Sequence, residues 1–132
     1  MTIKVAINGF GRIGRLALRS IVEHRRQDIE VVAINDLGPV TTMAHLLKYD
    51  SVHGPFRGSI AAGEDWIDVG SGRIKVVSER DPADLPHASL GVDVVLECTG
   101  LFTTSGKAQS HLRAGAKRVL VSAPSEGADK TI

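Results

Sequence analysis

Apolar positions along the chain follow two rhythms. In Ile3-Lys4-Val5-Ala6-Ile7 four of five residues are apolar. A short β-rich run without polar alternation predicts a strand buried on both faces. Val31 to Ile34 and Val92 to Cys98 have the same character, and Arg118 to Ser122 makes a fourth. Between them come helical spacings: Ile13, Leu16, Ala17 and Ile21 form one stripe, and Met43, Leu46 and Leu47 a shorter one ending near Tyr49-Asp50. A further helix is expected over Thr104 to Ala114, ended by Gly115, and Asp81-Pro82 is expected to open a short one. Trp66 to Val69 and Arg73 to Val77 flank Gly70-Ser71-Gly72, which predicts an antiparallel hairpin inserted near 64–78. Alternation of strand and helix predicts an α/β protein with a doubly wound, mostly parallel sheet.

The turn between the first strand and the first helix reads Asn8-Gly9-Phe10-Gly11-Arg12-Ile13-Gly14-Arg15. Three glycines at this spacing are a weak signal alone. At a strand-to-helix corner each acquires a role. Gly9 permits a tight turn, Gly11 lets backbone approach a pyrophosphate, and Gly14 lets the helix pack closely on the strand. The helix N-terminus offers N–H groups and partial positive charge to an anion, with Arg12 and Arg15 nearby. A plain β–turn–α corner is the competing reading. A second test lies about 20 residues downstream, where a dinucleotide fold places an acid after its second strand. There Val31 to Ile34 runs through Asn35 into Asp36. A carboxylate at that point can accept from both adenosine ribose hydroxyls and repels a 2′-phosphate. The alternative is an Asp that starts a turn before Leu37-Gly38-Pro39. Two matches in register favour a nucleotide, with FAD still open beside NAD.

Composition narrows the class. The chain has 132 residues, 42% hydrophobic and 23% charged, with net charge +1, as suits one soluble domain. Interspersed charges leave no nucleic-acid footprint, and no apolar run approaches the length of a membrane span. The start enters a strand at once, without a leader-like segment. The single cysteine excludes an internal disulfide and fits a reducing cytoplasm. A doubly wound dinucleotide fold has six main strands. Four plus a hairpin, with Asp129-Lys130-Thr131-Ile132 heading toward another, predict a truncated domain.

Longer motifs then resemble one family, phosphorylating glyceraldehyde-3-phosphate dehydrogenase of bacterial type. They are INGFGRIGR at 7–15, AIND at 33–36, HLLKYDSVHG at 45–54, RIKVVSERDPADLP at 73–86, GVDVVLECTGLFT at 91–103 and AGAKRVLVSAP at 114–124. The resemblance spans the whole chain and implies a Rossmann-type NAD-binding domain over 1–132, incomplete, as the N-terminal part of a cytoplasmic homotetramer. It implies oxidation of a triose phosphate through a thiohemiacetal, with NAD as hydride acceptor and inorganic phosphate releasing the acyl group. The family's Ser-Cys-Thr-Thr-Asn nucleophile motif is absent here, so no catalytic residue is assigned. For the cofactor it implies contacts from Gly9, Phe10, Gly11 and Asn35, with Arg12 and Ile13 at the pyrophosphate, Asp36 at the ribose, and Arg80 beside the adenine. Thr99 and Gly100 match the next loop, Phe102 walls the adenine side, and Ser122 lies nearest the nicotinamide ribose. Pro55 and His87 depart from the family, which often has Arg and Trp there. Erythrose-4-phosphate dehydrogenase, which tends to carry Glu at the position of Asp36, and a non-catalytic NAD-binding module are the alternatives.

Two residue types invite stronger readings. Cys98 follows Val94, Val95 and Leu96, and its neighbour Glu97 would raise a thiol pKa, so it is read as structural. The five histidines (24, 45, 53, 87 and 111) show no metal-ligand spacing, and His45 and His53, within the longer motifs, are assigned packing or surface roles.

Overall fold

The runs predicted as strands lie side by side. The computed structural model describes residues 2–23, 28–50, 54–55, 60–70, 73–79, 85–98, 111–112 and 114–121. Its elements are β1 (Ile3–Asn8), α1 (Arg12–Glu23), β2 (Ile29–Asn35), α2 (Val40–Lys48), β3 (Tyr49–Asp50), β4 (Gly54–Pro55), β5 (Ala61–Ala62), β6 (Trp66–Asp68), β7 (Arg73–Val77), α3 (His87–Leu90), β8 (Val94–Glu97) and β9 (Arg118–Val121). Seven strands form one sheet in the order β5-β6-β7-β2-β1-β8-β9, while β3 and β4 pair separately. The expected hairpin is present as β6 and β7. Its second arm does more than expected, because β7 also pairs parallel with β2. In β7 the exposed Arg73 and Lys75 alternate with buried Ile74 and Val76. That pattern marks a half-solvated strand and carries no information about its second neighbour.

β7, β2, β1, β8 and β9 are parallel. From β1 the chain winds out through β2, then returns to the other side of β1 with β8. The order therefore reverses between β1 and β8, where such sheets open a crevice at their carboxyl edge. A register shift between Val5 and Ala6 sets Asn8 opposite Asn35 on one side, and Glu97 lies opposite Asn8 on the other.

The two faces of this sheet differ. One carries large side chains: Ile7, Phe10, Ile34, Ile74 and Val76 pack with Leu18 of α1, Met43 and Leu47 of α2, and Ile67 of β6. The other carries Ala6, Ala33, Val92, Val95 and Ala116, with Leu90 and Val119 at its border. Each fully buried Leu or Ile contributes about 1.5–3 kcal/mol, so the first face supplies most of the apolar stabilisation.

The stripe expected on α1 is rotated. Ile13 is 54% exposed, and Leu16, Ala17 and Ile21 are half-buried, while Gly14, Leu18 and Arg19 are buried. Gly14 has to face the sheet, because a Cβ there would run into the carbonyl of Gly9 and the side chain of Ile7. Glycine adds nothing to an apolar pattern, so the pattern placed the stripe about one residue away. On α2, Met43 and Leu47 are buried as expected and Leu46 is 40% exposed. The third strand is shorter than Val92 to Cys98; the fourth is seen over Arg118–Val121, and Ser122 lies outside the described residues. The helix expected at Asp81-Pro82 and most of the one at Thr104 to Ala114 lie outside the described residues. The end of the latter is seen: Ala116 N–H bonds to His111 C=O at 3.1 Å and Gly115 N–H to Leu112 C=O at 3.1 Å. That is the glycine-ended cap expected there. α3 ends the same way, with Val92 N–H on His87 C=O at 3.0 Å and Gly91 N–H on Ala88 C=O at 3.3 Å. His87 and His111 thus hold the same position relative to two helix ends that pack on each other, joined by Ala88 N–H to Ala114 C=O at 3.0 Å.

Candidate functional site

The loop from Asn8 to Arg12 carries the first part of the predicted site. Gly9 has a φ of 92°, a left-handed backbone that favours glycine. Its N–H donates to Asn35 C=O at 2.8 Å, and Gly11 C=O accepts from Arg15 N–H at 2.9 Å. Gly11 is therefore the residue from which α1 springs, and the N–H groups of the first turn precede any intrahelical partner. Gly14 is demanded by close packing and Gly9 by its backbone angle. Gly11 is demanded by neither: a Cβ built on it meets no atom within 4 Å, and the residue is exposed. Arg12 and Ile13 also face solvent at this helix end.

Asp36 is brought to the loop by the second strand. Its Oδ2 accepts from Phe10 N–H at 2.7 Å, and its Oδ1 from Gly38 N–H at 3.1 Å. Each carboxylate oxygen keeps acceptor capacity beyond these bonds. Phe10 and Asn35, also expected at the cofactor, hold the loop from behind. The Phe10 ring is 3% exposed within the large-residue face, and its carbonyl accepts from Arg15 Nη1 at 3.1 Å. Asn35 is buried, with Nδ2 donating to Asn8 Oδ1 at 2.7 Å and to Glu79 C=O at 2.9 Å. Its Oδ1 accepts from Glu79 N–H at 2.8 Å. Five further predicted residues, Arg80, Thr99, Gly100, Phe102 and Ser122, lie outside the described residues.

Sequence reasoning missed a buried polar row beneath the loop. Asn35, Asn8 and Glu97 occupy facing positions on β2, β1 and β8. Asn8 Nδ2 donates to Glu97 Oε2 at 2.6 Å, and His111 Nε2 reaches the same oxygen at 2.6 Å. His111 Nδ1 lies 3.1 Å from His87 Nε2. Glu97, His111 and His87 are 1%, 0% and 2% exposed. Burial, and then His111 beside it, push His87 down to about 4, so it is neutral near pH 7. The available signal was a polar residue directly after an aliphatic one at the end of each strand: Ile7-Asn8, Ile34-Asn35 and Leu96-Glu97.

Cys98 donates its N–H to Asn8 C=O at 2.8 Å. Burial, and then Glu97, push its thiol up to about 11, which disfavours the nucleophilic thiolate. Among the described residues no group of His, Cys, Asp and Glu is arranged to hold a metal, and no helix is long and apolar enough to cross a membrane.

A glycine corner at a helix start, an acid after the second strand, and both at the reversal of a parallel sheet define a Rossmann-type dinucleotide-binding domain. Residues 3–105 match the family described as glyceraldehyde 3-phosphate dehydrogenase, NAD binding domain. The chain belongs to that family, whose cofactor is NAD. It is 66% identical over 132 residues to a glyceraldehyde-3-phosphate dehydrogenase of Xanthobacter flavus and 67% identical over 132 residues to one of Cereibacter sphaeroides. Against the enzyme of that name from Thermotoga maritima it is 55% identical over 129 residues. All of this chain aligns with each of the first two relatives but spans only 39% of their length.

Proposed function

We propose that this chain is the NAD-binding unit, over 1–132, of a phosphorylating glyceraldehyde-3-phosphate dehydrogenase whose catalytic residues lie outside it. The observation that carries the cofactor reading is Gly11, a glycine that neither packing nor backbone angle requires. It stands at a helix start beside a carboxylate. Open space at that backbone fits a pyrophosphate lying against it.

Gly9 to Ile13 would hold the pyrophosphate, with first-turn N–H groups and Arg12 supplying positive charge. Asp36 would accept from the adenosine ribose hydroxyls and disfavour a 2′-phosphate. Arg80, Thr99, Gly100, Phe102 and Ser122 are proposed to complete the cofactor site from neighbouring loops. Bound NAD supplies the hydride acceptor. A thiolate from elsewhere in the enzyme forms the thiohemiacetal of the triose phosphate, and inorganic phosphate releases the acyl group. Cys98 does not serve, since its thiol is held protonated. The family resemblance supports a homotetramer in the cytoplasm.

Calorimetric titration with NAD and NADP tests the cofactor reading. The wild-type protein should prefer NAD. Asp36→Ala should weaken NAD about 10-fold to 150-fold, the ratio equivalent of losing a charge-assisted hydrogen bond of about 1.5–3 kcal/mol, and should weaken NADP much less. Equal wild-type affinities for the two cofactors would contradict the role given to Asp36.

A further inference from the structure

Asn8 and Glu97 do not line the open side of the loop, yet they occupy the point where the nucleotide crevice is made. β1 and β8 are the two strands between which the sheet order reverses, and a crevice at such a point depends on how far apart the strand tips stand. Only backbone ladder bonds and side chains at the last register pair can fix that gap. Here the last pair is Asn8 and Glu97. Their side chains meet at 2.6 Å, fully enclosed.

The bond is directional. Glu97 Oε2 accepts from Asn8 Nδ2 and from His111 Nε2, so the Asn8 amide has its nitrogen toward β8 and its oxygen toward β2. Asn8 Oδ1 then accepts from Asn35 Nδ2, and Asn35 in turn holds the backbone of Glu79 on both sides. This amide orientation satisfies Asn8, Asn35 and Glu97 together, and rotating Asn8 would set donor against donor at β2. Asn8 is also the residue whose next neighbour is Gly9. A carboxylate anchored by a buried histidine thus determines how β1 enters the glycine turn.

We infer that Asn8 and Glu97 are positioning residues for the dinucleotide: their bond, backed by His111, holds the tips of β1 and β8 together and sets the gap that the pyrophosphate enters. This rests on the NAD-binding reading above. Asp36 would reach the ribose from the end of β2, held by its own bonds to Phe10 N–H and Gly38 N–H, so loss of the Asn8–Glu97 bond acts first on the phosphate end of the ligand.

The test compares two ligands on the intact protein that carries this domain. ADP-ribose contains the pyrophosphate; adenosine contains only the ribose and base. Dissociation constants for both are measured in the wild type, Glu97→Leu, Glu97→Gln and Asn8→Ala. Glu97→Leu should weaken ADP-ribose about 10-fold or more while changing adenosine less than about 2-fold. Glu97→Gln, whose carbonyl oxygen can take the place of Oε2 and still accept from both Asn8 and His111, should recover ADP-ribose to within about 3-fold of the wild type. Asn8→Ala leaves the Glu97–His111 pair in place and should reproduce the Leu effect if Glu97→Leu does not fold. General loss of structure would move both ligands together. An unchanged ratio of the two affinities in a folded Glu97→Leu or Asn8→Ala protein would overturn the inference. A wild type that binds neither ligand would instead overturn the NAD-binding reading on which it rests.

Discussion

The two faces of the sheet are built from different materials. One is closed by α1 and α2 over large aliphatic side chains: Ile7, Ile34, Met43 and Leu47 are at most 4% exposed. The other has alanines and valines near the middle, then a polar row that runs from Asn35 through Asn8 and Glu97 to His111 and His87. The first face needs only volume, and its stability is nondirectional. The second trades apolar area for geometry. Its small residues leave room at the carboxyl edge for groups that must point one way: the bonded stretch from Asn35 to His111 fixes position, while His87 Nδ1 at its end finds no partner among the described residues. The face that carries most of the apolar stabilisation is therefore not the one that tunes the nucleotide edge.

Substitution on the first face should give the largest effect on stability. Leu47→Ala removes a side chain with 0% exposure and should cost about 2–5 kcal/mol, measured by chemical denaturation of the intact protein. A loss below about 1 kcal/mol would show that this face is loosely packed and would weaken the contrast.

The second face should reveal itself through pH. His87 is held neutral down to about 4, whereas in the unfolded chain it gains its proton near its ordinary value of about 6.5. Between those values the unfolded state binds more protons than the folded one. Stability is therefore full above about pH 6.5 and falls as the pH drops toward about 4, by roughly 3 kcal/mol from this residue. His87→Gln should flatten that part of the profile, as followed by denaturant midpoints at successive pH values. An unchanged slope would mean that His87 takes up its proton within the fold.

The large-residue face was largely legible in the chain because aliphatic runs report burial directly. Met43 and Leu47 fell where the spacing placed them. The exception was α1, whose contact face is centred on Gly14, a residue invisible to an apolar count. The parallel partner of β7 was hidden because Ile74 and Val76 describe the strand's own burial and say nothing of β2. On the second face the polar row escaped notice because its members are distant in sequence: Asn8 and Glu97 are separated by 89 positions. Only the register of the sheet makes them neighbours. His87 and His111 likewise looked like isolated histidines until two helix ends brought their rings within 3.1 Å. The glycine corner and Asp36 were legible because strand–turn–helix is a local motif. That Phe10 and Asn35 brace the loop from behind depends on which way each side chain turns, which local spacing does not reveal.

The glycine corner is proposed to serve a ligand as well as the fold, and Gly11 separates the two demands. Gly11→Ala meets no atom within 4 Å of the added carbon. The decisive experiment is a paired determination of unfolding free energy and NAD dissociation constant for Gly11→Ala in the intact protein. Stability should stay within about 1 kcal/mol of the wild type, while NAD should bind at least about 10-fold more weakly, because the new methyl occupies the approach to the backbone. A stable Gly11→Ala protein that binds NAD as tightly as the wild type would show that the corner serves the fold alone.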